Sequence, residues 1–234
     1  MKYMDHIQGD DNFFSQYGKV VHQTLEKYAK GEISVFEVVE YYVNHFVSDV
    51  TMPAPYNKFS DLRDSYFNKG LRYIESVAEY ELKGYKVIGV EEEVHFTLNG
   101  YEFVGFIDLI LQNIETQEIV IIDHKSSSIR ILKNGEVSKT SMSVYNSYKT
   151  QMYLYSIAIH DKYGKYPSSY ILNLFNMRDF IKYDHKDEEL QNSIQWAIGM
   201  IEEIQQERDF LPNPDDYYCR YLCEYRNSAC EYKM

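Results

Sequence analysis

Two apolar runs, each carrying acidic residues near its end, dominate the middle of the chain. Residues 101–111 read Y-E-F-V-G-F-I-D-L-I-L and residues 118–125 read E-I-V-I-I-D-H-K. Both are rich in the β-branched and aromatic residues that strands prefer. Their near-continuous apolar character predicts a sheet covered on both faces. The polar stretch 113–118 is short enough for an antiparallel hairpin. Upstream, Val87 to Leu98 alternates as a strand, and Asn99-Gly100 is a two-residue turn leading into the 101–111 run. Downstream, Ser168 to Phe175 reads as a strand, and Ile181 to Tyr183 as a short further one.

Helical spacing flanks these strands on both sides. Val21, Leu25 and Tyr28 predict a helix over Ser15 to Ala29, ended by Gly31. Ser34 is placed to cap a second helix through Phe36, Val39, Tyr42, Val43 and Phe46. Thr51 to Ser60 holds Pro53 and Pro55 and reads as a loop, and Asp61 to Lys83 as a long helix. After Lys125 an irregular stretch contains Asn134-Gly135, a candidate small hairpin. Val144 to Tyr163 and Glu188 to Glu207 are predicted helices, and Pro212 and Pro214 end the second. The fold class is therefore α/β: a central mixed β-sheet flanked by helices, with a helical amino-terminal part and a Cys-rich carboxy-terminal tail.

The hairpin count places the chemistry. With Ile114 to Gln117 as the loop, Asn113 pairs with Glu118, and the same register sets Asp108 opposite Asp123. Directly opposed residues lie roughly 4.5–5.5 Å apart at Cβ. Two carboxylates that close repel unless a proton or cation lies between them. Alternation puts Asp123 and Lys125 on one face and turns His124 away. A hard divalent cation suits such paired oxygens.

Composition bounds the reading. The chain has 234 residues, 44% of them hydrophobic, which is enough for a sizeable core. No run approaches the roughly 18 apolar residues of a membrane span, and Met1 to His6 has no apolar signal region. The three cysteines, Cys219, Cys223 and Cys230, are odd in number and lie near the carboxy terminus. That pattern argues against a secreted disulfide scaffold and for an intracellular, cytoplasmic protein. The net charge of −12 counts against a non-specific DNA-coating protein, which would be basic. Within it, Lys125 to Lys149 holds five basic residues and one acidic one, a net of +4 that could face phosphates. The 24 tyrosines suit core and surface packing more than base stacking.

Three further motifs accompany the hairpin. Gly18 and His22 stand one helical turn apart, so that Gly18 would let another backbone approach and His22 would reach the sheet edge as a ligand. Gln151 and Tyr155 share a helix face and could hold Lys125 or a phosphate. Clustered thiols in an intracellular chain suggest a metal or iron–sulfur site, although a closed site needs four ligands.

In this order, Gly18-x3-His22, Gly105-x2-Asp108, Asp123-x-Lys125 and Gln151-x3-Tyr155 resemble the motifs of the PD-(D/E)XK nuclease superfamily, in its RecB-like exonuclease branch. The resemblance covers most of the chain and implies a restriction-endonuclease-like core. Residues 1–208 would form the nuclease domain and 209–234 the Cys-rich segment. It implies Mg²⁺- or Mn²⁺-dependent hydrolysis of DNA in repair, recombination or phage DNA processing. His22, Asp108, Asp123 and the His124 carbonyl would bind the metal. Lys125 would act on the attacking water and the developing charge, supported by Gln151 and Tyr155, with Glu93 as an outer acid. The Pro-rich stretch and the cysteines resemble the iron–sulfur members, which include CRISPR adaptation nucleases and AddB-type nuclease domains. There Cys219, Cys223 and Cys230 would hold a 4Fe-4S cluster with a fourth cysteine from upstream. That cysteine is missing here, which suggests a shortened amino terminus. A helicase or recombinase is the implied partner. The competing expectations are a non-catalytic DNA-binding or assembly subunit, and an inactive truncated fragment, on the same fold.

Overall fold

The computed structural model describes residues 7–58, 61–79, 84–177, 179–209, 211, 213–227 and 230. Five strands form one sheet in chain order: β1 (Tyr85–Leu98), β2 (Tyr101–Asn113), β3 (Ile119–Lys125), β4 (Ser169–Leu174) and β5 (Asp179–Asp184). Only β3 and β4 run parallel. A parallel neighbour needs a crossover, and the helix Met142–Tyr163 supplies it. Three helices precede the sheet and one follows it. Among the described residues these are α1 (Phe13–Ala29), α2 (Val38–Asp49) and α3 (Leu62–Glu79) before it and α5 (Asp187–Gln206) after it, with the crossover helix as α4. This is the expected mixed sheet flanked by helices, with a restriction-endonuclease-like arrangement.

Two turns set the register. Asn99 and Gly100 both take positive φ, 48° and 82°, as a type I′ turn requires. The second turn is the 114–117 loop. The Asn113 N–H donates to the Glu118 carbonyl at 2.8 Å, and the Asn113 side chain accepts from the N–H groups of Glu115 and Thr116 at 2.9 Å each. Leu109 pairs with Ile122 and Gln112 with Ile119, the register counted from the sequence.

Side chains from α4 and α5 pack on one face of the sheet, around Ile107, Ile110, Ile121 and Leu172. Leu109, Leu111, Val120 and Ile122 face the opposite way. Every residue from Ile119 to His124 is buried, which accounts for the continuous apolar run of β3. A separate aromatic core joins α1, α2 and α3 through Phe13, Tyr17, Tyr42, Phe46 and Tyr73. Phe175, just past β4, belongs to that core and locks the helical part to the sheet. Tyr17, Tyr42, Tyr153 and Tyr170 are among the largest fully buried side chains, so part of the tyrosine content is core.

Two local expectations change. Ser34 does not cap α2. It closes a turn in which its N–H and hydroxyl donate to Glu37 Oε2 at 2.9 and 2.6 Å, and the helix begins after Glu37. Phe36 stays outside it, 91% exposed. Gly18 admits no close neighbour, since a Cβ built there meets nothing within 4 Å. The small hairpin is present as a bridge between Ile131 and Val137, with Gly135 at φ 84°. The carboxy-terminal segment returns to the start of the chain. The Asp10 N–H donates to the Glu224 carbonyl at 2.8 Å, and the Asn12 side chain donates to the Leu222 carbonyl at 3.1 Å. The expectations at Met1–His6, Lys83 and Pro212 lie outside the described residues.

Candidate active site

The backbone ladder between β2 and β3 stops at Leu109–Ile122, one step short of the acidic pair. At the next step the Asp108 carboxylate replaces a backbone carbonyl: its Oδ2 accepts the His124 N–H at 2.6 Å. Asp108 thus stands between two strands, with Asp123 on one side. On the other side is Glu91, because counting back from the Asn99-Gly100 turn brings Glu91 opposite Asp108 between the pairs Val90–Leu109 and Glu92–Ile107.

At that step both strands break alternation. Ile107 and Ile110 both enter the core beneath α4, although strict alternation would separate them. On β1, a Cβ on Gly89 would face Ile110 and the Glu92 carboxylate, and Glu92 itself reaches Lys162 of α4. Val90 and Leu109 belong to the opposite face. Glu91 absorbs the irregularity with φ 47°, a left-handed conformation unusual for a residue with a Cβ. The kink turns Glu91 and Asp108 together towards α1.

His22 of α1 meets them there. Its Nδ1 lies 3.5 Å from Glu91 Oε1 and 3.6 Å from Asp108 Oδ1, and its Nε2 lies 3.0 Å from the His124 carbonyl. Hydrogen bonding to that carbonyl places a proton on Nε2. Nδ1 then either holds a second proton or turns a lone pair towards two carboxylates, an arrangement that calls for a cation. One ligand atom from each of His22, Glu91 and Asp108 falls within 4.8 Å of the others. Oxygen and imidazole donors in this number suit a divalent ion that keeps some of its waters. The three line a cavity of about 740 Å³ whose other walls include Leu109 and Ile122.

Charge in this setting is strongly perturbed. Burial raises the Asp108 carboxyl to about 6, with Asp123 and Glu91 adding to the effect and His22 opposing it. Burial also raises Asp123, against the pull of Lys125. Burial would lower His22, but the neighbouring Glu91 and Asp108 carboxylates outweigh it and its pKa rises. Lys125 is likewise raised, because Asp123 outweighs its burial. The His124 ring is driven down to about 3 by burial and by the His22 and Lys125 charges, so it is neutral at physiological pH.

Asp123 and Lys125 share a face, as alternation predicts, and Lys125 Nζ lies 2.7 Å from Asp123 Oδ2. That oxygen is buried, and its contact with Lys125 is an ion pair that falls short of hydrogen-bond geometry. Lys125 Nζ donates to Gln151 Oε1 at 3.1 Å, and Gln151 Nε2 donates to the Tyr155 hydroxyl at 2.7 Å. The Tyr148 ring lies beneath Nζ, 4.7 Å to its centre. The four sequence motifs therefore converge on one place.

Glu91 is the member that sequence reading missed in favour of Glu93. Glu93 sits on the exposed side and pairs with His95 at 2.8 Å. The signal was available in the Asn99-Gly100 turn, whose count reaches Glu91 when carried back to Asp108. Lys149 of the basic stretch is paired with Glu189. Cys219, Cys223 and Cys230 are free and partly buried. Among the described residues they do not gather into a set of ligand atoms within 4.8 Å, and three thiols leave a four-ligand cluster incomplete. No described helix is long and apolar enough to cross a membrane.

None of the curated proteins compared matches the chain. A solved structure from Eubacterium rectale, provisionally named an exonuclease, is similar to it with a TM-score of 0.48 and 12% identity, covering 93% of this chain and 83% of that one. A family model described as the PD-(D/E)XK nuclease superfamily matches residues 1–231. With that match spanning almost the entire sequence, the chain belongs to the PD-(D/E)XK nuclease superfamily and is a nuclease, a hydrolase of phosphodiester bonds.

Proposed function

We propose that this nuclease is a DNA exonuclease of the RecB-like kind, dependent on Mg²⁺ or Mn²⁺ and acting in DNA repair, recombination or phage DNA processing. The observation that carries the reading is the convergence of His22, Glu91 and Asp108 within 4.8 Å, beside the ion pair of buried Asp123 with partly buried Lys125. His22, Glu91 and Asp108 would hold the cation, with Asp123 adjacent. A bound divalent ion supplies a nucleophilic water at neutral pH and offsets charge on the scissile phosphate.

The chain's own residues do the remaining work. Asp123 holds Lys125 in its charged form, and Gln151 directs one of its N–H bonds. The remaining ammonium hydrogens are then available to oxygens on which negative charge grows during hydrolysis. Tyr155 fixes Gln151 through its hydroxyl. Burial of Asp108 and Asp123 lowers the local dielectric and strengthens each of these interactions. Arg130, Lys133 and Lys139, exposed on the stretch that follows Lys125, suit the flanking phosphates.

The test is cleavage of end-labelled linear DNA and of circular DNA by the purified protein in Mg²⁺ or Mn²⁺. Release of nucleotides from the linear substrate alone is the expected result. Nicking of the circle would replace exonuclease with endonuclease action, and no cleavage with either metal would sink the proposal.

A further inference from the structure

We propose that Tyr73 and Asn173 are positioning residues for the cation site, acting through the buried ring of His124. The inference rests on the nuclease reading of the same site. His124 is the middle residue of Asp123-x-Lys125, and its main chain performs two tasks. Its N–H donates to Asp108 Oδ2 at 2.6 Å, and its carbonyl accepts from His22 Nε2 at 3.0 Å. Two of the three cation-facing side chains are therefore oriented by one residue's backbone.

Nothing in the β2–β3 ladder holds that backbone on the Asp108 side, because the ladder has already ended at Leu109–Ile122. On its other side the β3–β4 ladder carries His124 on to Lys125–Leu174, and the His124 side chain adds a second tether to that strand and to α3. It points away from Asp123 and Lys125, towards α3 and β4. Its Nδ1 faces the Tyr73 hydroxyl at 3.4 Å. Asn173 Nδ2 donates to the same hydroxyl. Asn173 is the residue paired with His124 across the parallel β3–β4 step, so the three side chains form a hydrogen-bonded chain on one face of the sheet, centred on the Tyr73 hydroxyl.

With the Asn173 N–H directed at the Tyr73 oxygen, the Tyr73 proton is free to point at His124 Nδ1. Tyr73 is itself fixed, 4% exposed, with its ring against Phe175 at 5.8 Å between centres. The helical part of the protein is thereby coupled to the sheet end that carries Asp108. Partners one layer out from a metal's ligands typically alter affinity about 10- to 100-fold when removed.

Calorimetric titration of the full chain with Mn²⁺, without DNA, tests this independently of cleavage. Tyr73→Phe keeps the ring and removes the hydroxyl; we expect its Mn²⁺ Kd to rise about tenfold or more. Asn173→Ala should weaken binding by the same route without touching the Tyr73 ring. The double variant should bind no worse than the weaker single one, because both act on one tether. A core tyrosine with only a packing role would lower the Tm and leave the Kd unchanged. Mn²⁺ affinity within twofold of wild type in Tyr73→Phe overturns the proposal, as do independent, additive losses in the double variant. A wild-type protein that binds no Mn²⁺ overturns both this proposal and the metal-dependent reading, whereas tight binding without cleavage overturns only the latter.

Discussion

The ring of Tyr155 fills the space that a side chain at residue 105 would need: a Cβ built on Gly105 would overlap the ring, with Cζ at 2.9 Å and Cδ1 at 3.1 Å. This contact links two motifs that lie some fifty residues apart. Tyr155 can lie flat on β2 only where β2 has no side chain, and from there its hydroxyl reaches Gln151 and, through it, Lys125.

Gly105→Ala is therefore expected to displace Tyr155 and to act on catalysis at a distance. Overpacking of this kind costs about 1–3 kcal/mol, and a misplacement of about 1 Å can cost about 100-fold in rate. Cleavage should fall by about 10- to 100-fold, and Tyr155→Phe should reproduce part of the loss without the drop in Tm. Full activity in purified Gly105→Ala would show that the contact does not position Lys125.

Glu91 and Glu93 make a matched pair of tests. Glu91→Gln removes a carboxylate that faces His22 and Asp108, and its cleavage rate should fall about 100-fold, the scale of losing one partner of a metal site. Glu93→Gln alters an exposed pair with His95, and its rate should stay within about twofold. Equal losses in the two variants would place the acid wrongly on β1.

Asp108 predicts a particular pH dependence of metal-free stability. Its folded pKa of about 6 lies above the usual 3.8, so the folded chain binds this proton more tightly than the unfolded one. Its cost is absent below about pH 4, grows as pH rises through about 6 and is complete above that, at about 3 kcal/mol or less. Asp108→Asn should accordingly raise the Tm of the metal-free protein at pH 8 and make little difference near pH 4. Mn²⁺ should raise the Tm of wild type and not that of the variant. A Tm difference independent of pH, followed by scanning calorimetry, would contradict this origin.

Lys125→Ala should abolish cleavage and also destabilise the fold. It leaves Asp123 buried, 3% exposed, without its cation. Breaking one side of a fully buried pair costs about 3–5 kcal/mol, and the 19% exposure of Lys125 puts this loss at the lower end or below. Adding Asp123→Asn should recover much of the stability and none of the activity. A single variant with the wild-type Tm would mean that the pair is solvated in solution.

The strands and their register were legible because the signals are local. A two-residue Asn-Gly turn leaves little freedom in pairing, and so does a four-residue loop closed by Asn113. Asp108 and Asp123 could thus be set opposite one another by counting, and Glu91 could have been added in the same way. The start of α2 was less legible, since Ser34 and Glu37 satisfy each other and Phe36 never joins the helix. Gly18 misled because a glycine's freedom says nothing about whether a neighbour comes close.

By itself, then, the sequence determined which elements exist, which residues pair across the hairpins and which motifs resemble those of the nuclease superfamily. Only the tertiary structure decided where those side chains point. Alternation assigns faces along a regular strand, but at Glu91 and Asp108 both strands kink and the faces exchange, with Ile107 and Ile110 both turned under α4, and local preference does not encode that change. The meeting of His22 with that kink and the gathering of Tyr73 and Asn173 around His124 depend on contacts up to a hundred residues apart. Such contacts are set by how helices bury their apolar faces against the sheet, and no local pattern in the chain carries that information.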